Sequence, residues 1–140
     1  MIHIKILTVG KTKESWLLEA LENYFQRLRG RAVIEIDLFS ESRDLEKASS
    51  KLSRPIVLDE TGEAFTSPNF SNFLFKEIEN QGSRLTMIIG GAEGLSRELK
   101  LKGKLISLSR MTFTHQMARL FLVEQIYRAF EIQRNSPYHK

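Results

Sequence analysis

The chain has 140 residues, the length of one ordinary domain, and such a domain can bury a hydrophobic core without cross-links. It contains no cysteine, which excludes disulfide bonds and thiolate metal sites. No apolar run approaches the roughly 20 residues of a membrane span, and the amino terminus lacks the pattern of a signal peptide, so we expect a cytoplasmic protein with a single domain, residues 1–140.

Charge is unevenly distributed along the chain. Residues 1–83 carry 11 Lys or Arg and 13 Asp or Glu, a net charge of −2, whereas residues 84–140 carry 10 and 4, a net charge of +6, which together give the +4 of the whole chain. A basic half favours a polyanionic partner, because neutralised phosphates release counterions. A solvated basic face would give the same composition, so charge nominates a nucleic acid without identifying one.

The first half of the chain alternates between strand and helix patterns. Apolar residues at alternating spacing predict strands, and apolar residues at helical spacing predict helices. In chain order we predict a strand over Ile2–Val9, a helix over Glu14–Leu28, a strand over Val33–Phe39, a short helix or loop over Glu41–Leu52, and a strand over Pro55–Asp59 that runs into a turn at Glu60–Glu63. Trp16 belongs to the apolar stripe of the first helix, which places it in the core, and His3 is a structural residue of the first strand.

The second half continues the alternation. Ser67 and Pro68 supply an N-cap and a first-turn proline for a helix that Gly82 closes. The remaining predictions are a strand over Leu85–Ile89, a short helix from Ser96 to Gly103, a strand over Leu105–Leu108 and a long helix over Thr114–Arg134. This order, with apolar strands late in the chain, predicts an α/β fold with a largely parallel sheet covered by helices on both faces.

Ligands of open parallel sheets bind beyond the carboxyl ends of the strands. That rule directs attention to the three loops that follow Leu58, Ile89 and Leu108. The last two loops have unusual compositions, so we expect the functional site there.

Three glycines follow the buried strand that ends at Ile89, within the segment Gly90–Ser96. Glycines before a helix N-cap let backbone N–H groups approach a ligand closely. A plain structural turn is the alternative interpretation. The segment is not a Walker A loop, because no Gly-Lys-Ser/Thr follows. It is also not a convincing dinucleotide-binding fingerprint, because such a motif normally lies in the first strand–helix unit.

The segment Leu108–Gln116 places hydroxyl side chains, Arg110 and His115 between a strand and a helix. Serine and threonine at such a position often only cap the helix, which is the alternative interpretation. Two polar loops at successive strand ends nevertheless favour a binding site more strongly than either loop alone.

The helix over Thr114–Arg134 is apolar on more than one side. A surface helix of a single domain usually has one apolar stripe, so we expect a second subunit against this helix and hence a homodimer. Glu124 and Arg128 have the spacing of a helical ion pair. His115 and Arg119 share a face that begins at the candidate loop.

The chain ends in Ser136–Lys140, which contains a tyrosine, a histidine and a lysine. Terminal residues usually fray, but an aromatic ring beside basic groups can also stack on a nucleic-acid base. The three histidines, His3, His115 and His139, do not have the spacing of a zinc site, and we expect no metal.

Four segments taken together resemble one known family. They are Ile88–Ser96, Ser107–Gln116, Glu124–Ala129 and Pro137–Lys140, and the segments Leu7–Lys11 and Val57–Asp59 also fit. The resemblance is to the ribosomal RNA large subunit methyltransferase H family, of the SPOUT class, and it spans the whole chain.

This resemblance implies a Rossmann-like, mostly parallel sheet whose C-terminal segment forms a trefoil knot, an exception to the usual unknotted topology. It also implies a homodimer, S-adenosylmethionine as the methyl donor, and the N3 position of a pseudouridine in large-subunit ribosomal RNA as the methyl acceptor. The cofactor contacts carried over by motif are Leu58, Gly90, Leu108, Ser109, Arg110, Met111, Thr112 and Phe113.

Substrate orientation and electrostatics are hypothesised to come from four residues, namely His115, Arg119, Tyr138 and His139. The sequence departs from the family at Thr114, where a proline is common, and we expect this change to loosen the loop without removing a ligand. It also departs in a short stretch between Phe39 and Ile56, which we expect to affect peripheral contacts more than the chemistry. Two other functions stay open: a non-catalytic ribosome- or RNA-binding module of the same fold, and a small-molecule enzyme that binds a phosphate at the glycine turn.

Overall fold

A computed structural model describes the whole chain, residues 1–140, as five strands that alternate with five helices. In chain order the elements are β1 (Ile2–Val9), α1 (Ser15–Arg27), β2 (Ala32–Phe39), α2 (Ser42–Ser49), β3 (Ile56–Ala64), α3 (Ser67–Asn80), β4 (Arg84–Ile89), α4 (Arg97–Lys102), β5 (Lys104–Ser107) and α5 (His115–Gln133). The segment over Glu41–Leu52, predicted as a short helix or loop, is therefore a helix.

All five strands form one parallel sheet with the order β2-β1-β4-β3-β5. β1 lies inside the sheet and pairs with β2 along its whole length and with β4 over six residue pairs. Because every strand runs in the same direction, all the loops that follow the strands emerge at one edge of the sheet. The predicted α/β fold with a parallel sheet is confirmed.

The helices cover both faces of this sheet. α5 packs against α1, α3 and β4 on one face, whereas α2 packs against β1 and β2 on the other. Successive residues of a β-strand point to opposite faces of the sheet. Ile6 and Ile56 therefore belong to the larger apolar cluster, under α5, whereas the next residues, Leu7 and Val57, belong to the smaller one. The smaller cluster also contains Leu99 of α4.

β3 corrects one prediction, because the segment Glu60–Glu63 is not a turn. The strand continues to Ala64, and its second half pairs again with β5 after an irregularity between Leu58 and Glu63. Gly62 makes this possible, since a Cβ atom there would lie 2.6 Å from the backbone nitrogen of Ile106. The sequence contains the glycine, but only the neighbouring strand shows why a side chain is excluded.

Trp16 corrects a second prediction, because it is 53 % exposed and lies outside the core. Leu17 and Leu21, one helical turn apart, occupy the buried positions of α1 instead. Trp16 is about 100° around the helix from Leu17, which turns its ring away from the sheet.

α5 is the most deeply buried helix. It begins after Thr114, whose side-chain oxygen accepts a hydrogen bond from the backbone N–H of Met117 at 3.2 Å, so this threonine caps the helix as a proline could not. Contacts with α1, α3 and β4 account within one chain for much of the apolar breadth of α5. Phe121 is 36 % exposed on the remaining side.

None of the helices is both long and apolar enough to cross a membrane. In the C-terminal tail, Tyr138 and His139 contact α5, whereas Pro137 and Lys140 are exposed. The Tyr138 ring packs edge to face against the Tyr127 ring, with 4.8 Å between the ring centroids. Aromatic packing therefore holds the tail.

Candidate active site

A cavity of about 810 Å³ lies at the carboxyl edge of the sheet, where the irregular segment of β3 after Leu58 and the loops after β4 and β5 meet the start of α5. These are the three segments that the sequence nominated. The residues lining the cavity are Leu58, Asp59, Glu60, Ile89, Gly90, Gly91, Ala92, Glu93, Gly94, Leu95, Lys100, Ser107, Leu108, Ser109, Met111, Thr112, Phe113, Thr114, His115, Gln116 and Ala118. Its volume falls within the range of about 300–1,000 Å³ that is typical of small-molecule sites.

The glycine loop Gly90–Gly94 forms one wall of the cavity. It folds into a tight turn in which the Gly94 N–H donates to the Gly91 carbonyl at 3.0 Å. The loop leads to Ser96, whose hydroxyl oxygen caps α4 by accepting from the Leu99 N–H at 3.1 Å. This arrangement is a structural turn and at the same time one wall of a cavity, so the two interpretations from sequence are compatible.

The end of the glycine loop is tied to the opposite face of the sheet. The Glu46 carboxylate on α2 accepts hydrogen bonds from the Ser96 N–H at 2.8 Å and from the Ser96 hydroxyl at 2.6 Å. α2 lies in the stretch that we expected to be peripheral, and its contact with Ser96 fixes the base of a cavity wall. No sequence pattern indicates this contact, which joins residues 50 positions apart.

The loop after β5 forms the opposite wall. The Ser107 hydroxyl donates to the Ser109 carbonyl at 2.9 Å, and the Ser109 hydroxyl oxygen accepts from the Met111 N–H at 3.0 Å. The Thr112 hydroxyl donates to Glu60 at 3.0 Å, which joins this loop to the one after Leu58.

Seven of the eight predicted cofactor residues line the cavity, and the eighth, Arg110, does not. The seven are Leu58, Gly90, Leu108, Ser109, Met111, Thr112 and Phe113. Arg110 belongs to the same loop, but its side chain is exposed.

The cavity carries more negative than positive charge. Its lining includes three carboxylates, those of Asp59, Glu60 and Glu93, and a single ammonium group, that of Lys100. Lys100 pairs with Asp59 at 3.0 Å. Burial opposes ionisation of Asp59, but hydrogen bonds from Thr61 and Lys100 outweigh it and lower the pKa of this carboxyl. Such a lining favours a cationic ligand.

Our sequence predictions did not include these acidic residues. The signal was nevertheless present for two of them, because Asp59 and Glu60 directly follow Leu58 at the end of a buried strand. Glu93 lies inside the glycine loop itself, and its carboxylate adds to the acidic lining.

His115 is the one predicted catalytic residue that lines the cavity. Burial, together with the neighbouring positive charge of Arg119, lowers the pKa of the imidazole below its ordinary value of 6.5. The ring is therefore neutral at physiological pH. A neutral imidazole at a cavity wall can accept a proton.

Arg119 lies one helical turn beyond His115 but does not line the cavity. Its side chain is fully buried, and its two terminal nitrogens donate to the Thr12 hydroxyl at 2.6 Å and to the Val9 carbonyl at 2.8 Å. Arg119 therefore contacts the segment after β1, and its charge acts on His115 in the cavity wall.

Tyr138 and His139 lie outside the cavity, at a more distal part of α5. The Tyr138 hydroxyl donates to Glu124 at 2.7 Å, and the Arg128 side chain lies 3.0 Å from Nδ1 of His139. Burial and the hydrogen bond to Glu124 raise the pKa of Tyr138. The predicted ion pair between Glu124 and Arg128 is confirmed at 2.8 Å.

A second, smaller cavity of about 270 Å³ lies between the first cavity and the tail. It shares Ser107, Leu108 and Phe113 with the first cavity and is also lined by Glu124. Tyr138 thus touches a residue of the second cavity, while His115 lies in the first.

No group of three or more His, Asp or Glu side chains in the chain is placed to hold a metal ion.

The sequence shows the class of the protein, since the family described as "Predicted SPOUT methyltransferase" matches residues 2–139. Two similar curated proteins are both called ribosomal RNA large subunit methyltransferase H. The one from Protochlamydia amoebophila is 52 % identical over 140 residues, covering 100 % of both chains. The one from Prochlorococcus marinus is 46 % identical over 143 residues, covering 99 % of this chain and 96 % of that one.

Among solved structures, a probable methylase family protein from Haemophilus influenzae Rd KW20 matches with a TM-score of 0.59 and 13 % identity, covering 98 % of this chain and 70 % of that chain. At this identity the likeness shows the fold alone. The sequence matches go further: the chain belongs to the ribosomal RNA large subunit methyltransferase H family, within the SPOUT methyltransferases.

Proposed function

We propose that this protein methylates large-subunit ribosomal RNA, and that it transfers the methyl group of S-adenosylmethionine to N3 of a pseudouridine. Full-length identity to relatives named as ribosomal RNA methyltransferases supports the reaction class. The observation that carries the proposal in this chain is the acid-lined cavity at the predicted cofactor loops.

The cavity suits the proposed methyl donor in charge and in size. S-adenosylmethionine has a net positive charge, and three carboxylates against one ammonium group provide a complementary lining. Leu58, Gly90 and the segment Leu108–Phe113 would hold the cofactor, with the glycine loop admitting it close to the backbone. When bound, it supplies an electrophilic methyl group attached to a cationic sulfur.

The same charge argues against a phosphate ligand. Sites for phosphate usually combine backbone N–H groups with lysine or arginine, and the only lysine of this cavity is already paired with Asp59. The small-molecule enzyme that binds phosphate at the glycine turn is therefore disfavoured. The non-catalytic RNA-binding module differs from our proposal only in its chemistry, so it becomes an outcome of the test below.

The chain's part in the chemistry is to hold the acceptor nitrogen in line with the carbon–sulfur bond and to take its proton. Positioning of this kind supplies much of the rate of a displacement reaction. The proton on N3 must leave, because its pKa is well above neutral. We assign its removal to His115, whose lowered pKa keeps the imidazole unprotonated at physiological pH.

Tyr138 and His139 are proposed to orient the substrate rather than the cofactor. They lie beyond the second cavity, which adjoins the first through Leu108 and Phe113. The Tyr138 hydroxyl, with its raised pKa, stays protonated. Because its proton is donated to Glu124, its oxygen is left to accept a hydrogen bond from a base.

The family also implies a homodimer and a trefoil knot, and both stay predictions. Trp16 and Leu18 on α1 and Phe121 on α5 are apolar side chains at least 36 % exposed, a composition that favours a subunit interface. A protein that modifies ribosomal RNA would work in the cytoplasm, where ribosomes are.

Calorimetry and a methylation assay together test the proposal. We expect S-adenosylmethionine to bind, nucleotide phosphates not to bind, and labelled methyl groups to pass to ribosomal RNA. Binding of RNA without binding of S-adenosylmethionine would favour the non-catalytic module. Retention of full methylation by both His139→Ala and a chain lacking Tyr138–Lys140 would contradict the role given to the tail.

A further inference from the structure

A short basic segment flanks the candidate active site without lining its cavity. It is the connection Gly10–Glu14 between β1 and α1, in which Lys11 and Lys13 are both exposed. Neither lysine makes an ion pair, whereas eight other basic side chains do. Both lysines are therefore unpaired cations beside the site, as is the exposed Arg110 of the loop after β5.

This segment lies directly against residues of the cavity. β1 is the neighbour of β4, so the segment emerges next to the glycine loop, and a Cβ atom on Gly91 would lie 3.4 Å from Cβ of Val9. A Cβ atom on Gly10 would lie only 2.8 Å from Nε2 of His115. The absence of a side chain at Gly10 thus lets the segment sit against the imidazole.

The segment is also held by hydrogen bonds from side chains of α5. Arg119, fully buried, donates to the Thr12 hydroxyl and to the Val9 carbonyl, on either side of Lys11. The Gln116 side chain adds a longer contact of 3.4 Å to the Lys11 carbonyl. A buried arginine therefore fixes the backbone that presents the two lysines, which lowers the entropy cost of binding through them.

The charge of the cavity makes such an anchor necessary for an RNA substrate. The acidic lining repels phosphodiester groups, so a base can enter the cavity only if its backbone is held outside it. We propose that Lys11 and Lys13, presented by the Arg119-held segment, bind the RNA backbone beside the cavity. This inference rests on the proposed RNA substrate and adds the residues that hold it.

The test compares two charge-matched double variants. Lys11→Gln with Lys13→Gln removes the proposed anchor. Lys51→Gln with Lys76→Gln makes the same change in net charge at two exposed, unpaired lysines. Lys51 precedes β3, and Lys76 lies late in α3 before β4, which puts both near the opposite edge of the sheet.

Wild-type protein is first offered three substrates from cells lacking the protein, namely purified large-subunit rRNA that carries its pseudouridines, isolated large subunits and assembled ribosomes. Methylation kinetics are then measured over a range of salt concentrations on the substrate that the wild type uses. For the Lys11/Lys13 variant we expect KM for RNA to rise about ten- to twentyfold near 0.15 M salt. The slope of log KM against the logarithm of salt concentration should fall by roughly 1.5, because two phosphate contacts are lost. S-adenosylmethionine affinity should stay within twofold of wild type by calorimetry.

The two failures are distinguishable. If the wild type methylates none of the three substrates, the proposed function is wrong. If the wild type is active and the Lys11/Lys13 variant has the KM and salt dependence of the wild type or of the Lys51/Lys76 control, the lysine anchor is wrong. An effect on ribosomal particles together with none on purified rRNA that is itself methylated would assign the lysines to a ribosomal protein and also overturn the inference.

Discussion

His115 is the residue on which the proposed chemistry depends most. It lines the cavity, and both burial and the charge of Arg119 disfavour its protonated form. The other three residues predicted to be catalytic have different surroundings: Arg119 is buried under the segment after β1, and Tyr138 and His139 lie against Glu124 and Arg128. Among these four, His115 alone can act as a base at the cavity in this conformation.

The lowered pKa of His115 gives a definite pH profile. Because the folded-state pKa is below 6.5, the imidazole is neutral above that value and gains a proton only at lower pH. We expect the methylation rate at saturating substrates to be flat over about pH 7 to 8 and to fall as pH drops below the pKa of His115.

His115→Asn removes the proton acceptor, so the N3 proton must leave to solvent. Its rate should be about a hundredfold lower near pH 7 and should rise roughly tenfold per pH unit up to about pH 8.5. Single-turnover methylation across this range measures both profiles. A wild-type rate that rises as steeply with pH as that of the variant would rule out His115 as the base.

At the scale of elements, α2 supports the wall of the candidate site from the other side of the sheet. Leu45 of α2 packs in the smaller apolar cluster and anchors the helix to the sheet. The next residue, Glu46, accepts two hydrogen bonds from Ser96 at the end of the glycine loop. A helix that contributes no residue to the cavity thus sets the position of one of its walls.

Glu46→Gln tests this support. The amide has one acceptor oxygen instead of two and no charge, so one of the two bonds to Ser96 is lost and the other weakens. If the free energy that holds the loop in its binding conformation falls by about 1 kcal/mol, S-adenosylmethionine should bind about fivefold more weakly. Calorimetry measures this change. Glu79→Gln, an exposed and unpaired residue of α3, is the matched control. Equal affinities for the two variants would show that α2 does not position the loop.

Local patterns were sufficient to predict most elements and the place of the site. Apolar periodicity defined the strands and helices, and the rule for parallel sheets pointed to the loops after Leu58, Ile89 and Leu108, which do meet in one cavity. These predictions succeed because they depend on residues close in sequence or on strand direction alone.

Predictions that depend on distant neighbours were less successful. The continuation of β3 beyond Asp59 depends on pairing with β5, and the exposure of Trp16 depends on which face of α1 meets the sheet. The link between Glu46 and Ser96 and the burial of Arg119 join residues at least 50 positions apart. No local pattern contains that information.

At the scale of the whole molecule, charge is divided between two adjoining regions. The cavity is acidic and suits a cationic methyl donor, whereas the segment beside it presents two unpaired lysines to a polyanion. The +6 of residues 84–140 therefore does not describe the site itself, since Asp59 and Glu60 come from the acidic half of the chain. The site is assembled from both halves.

The central claim is that this molecule methylates a pseudouridine in large-subunit ribosomal RNA. Nucleoside and fragment mass spectrometry of rRNA from cells with and without the protein measures this most directly. We predict that one pseudouridine loses a methyl group in cells lacking the protein, regains it with the wild-type chain, and does not regain it at the normal rate with His115→Asn. Identical methylation of the large-subunit rRNA with and without the protein would contradict the claim.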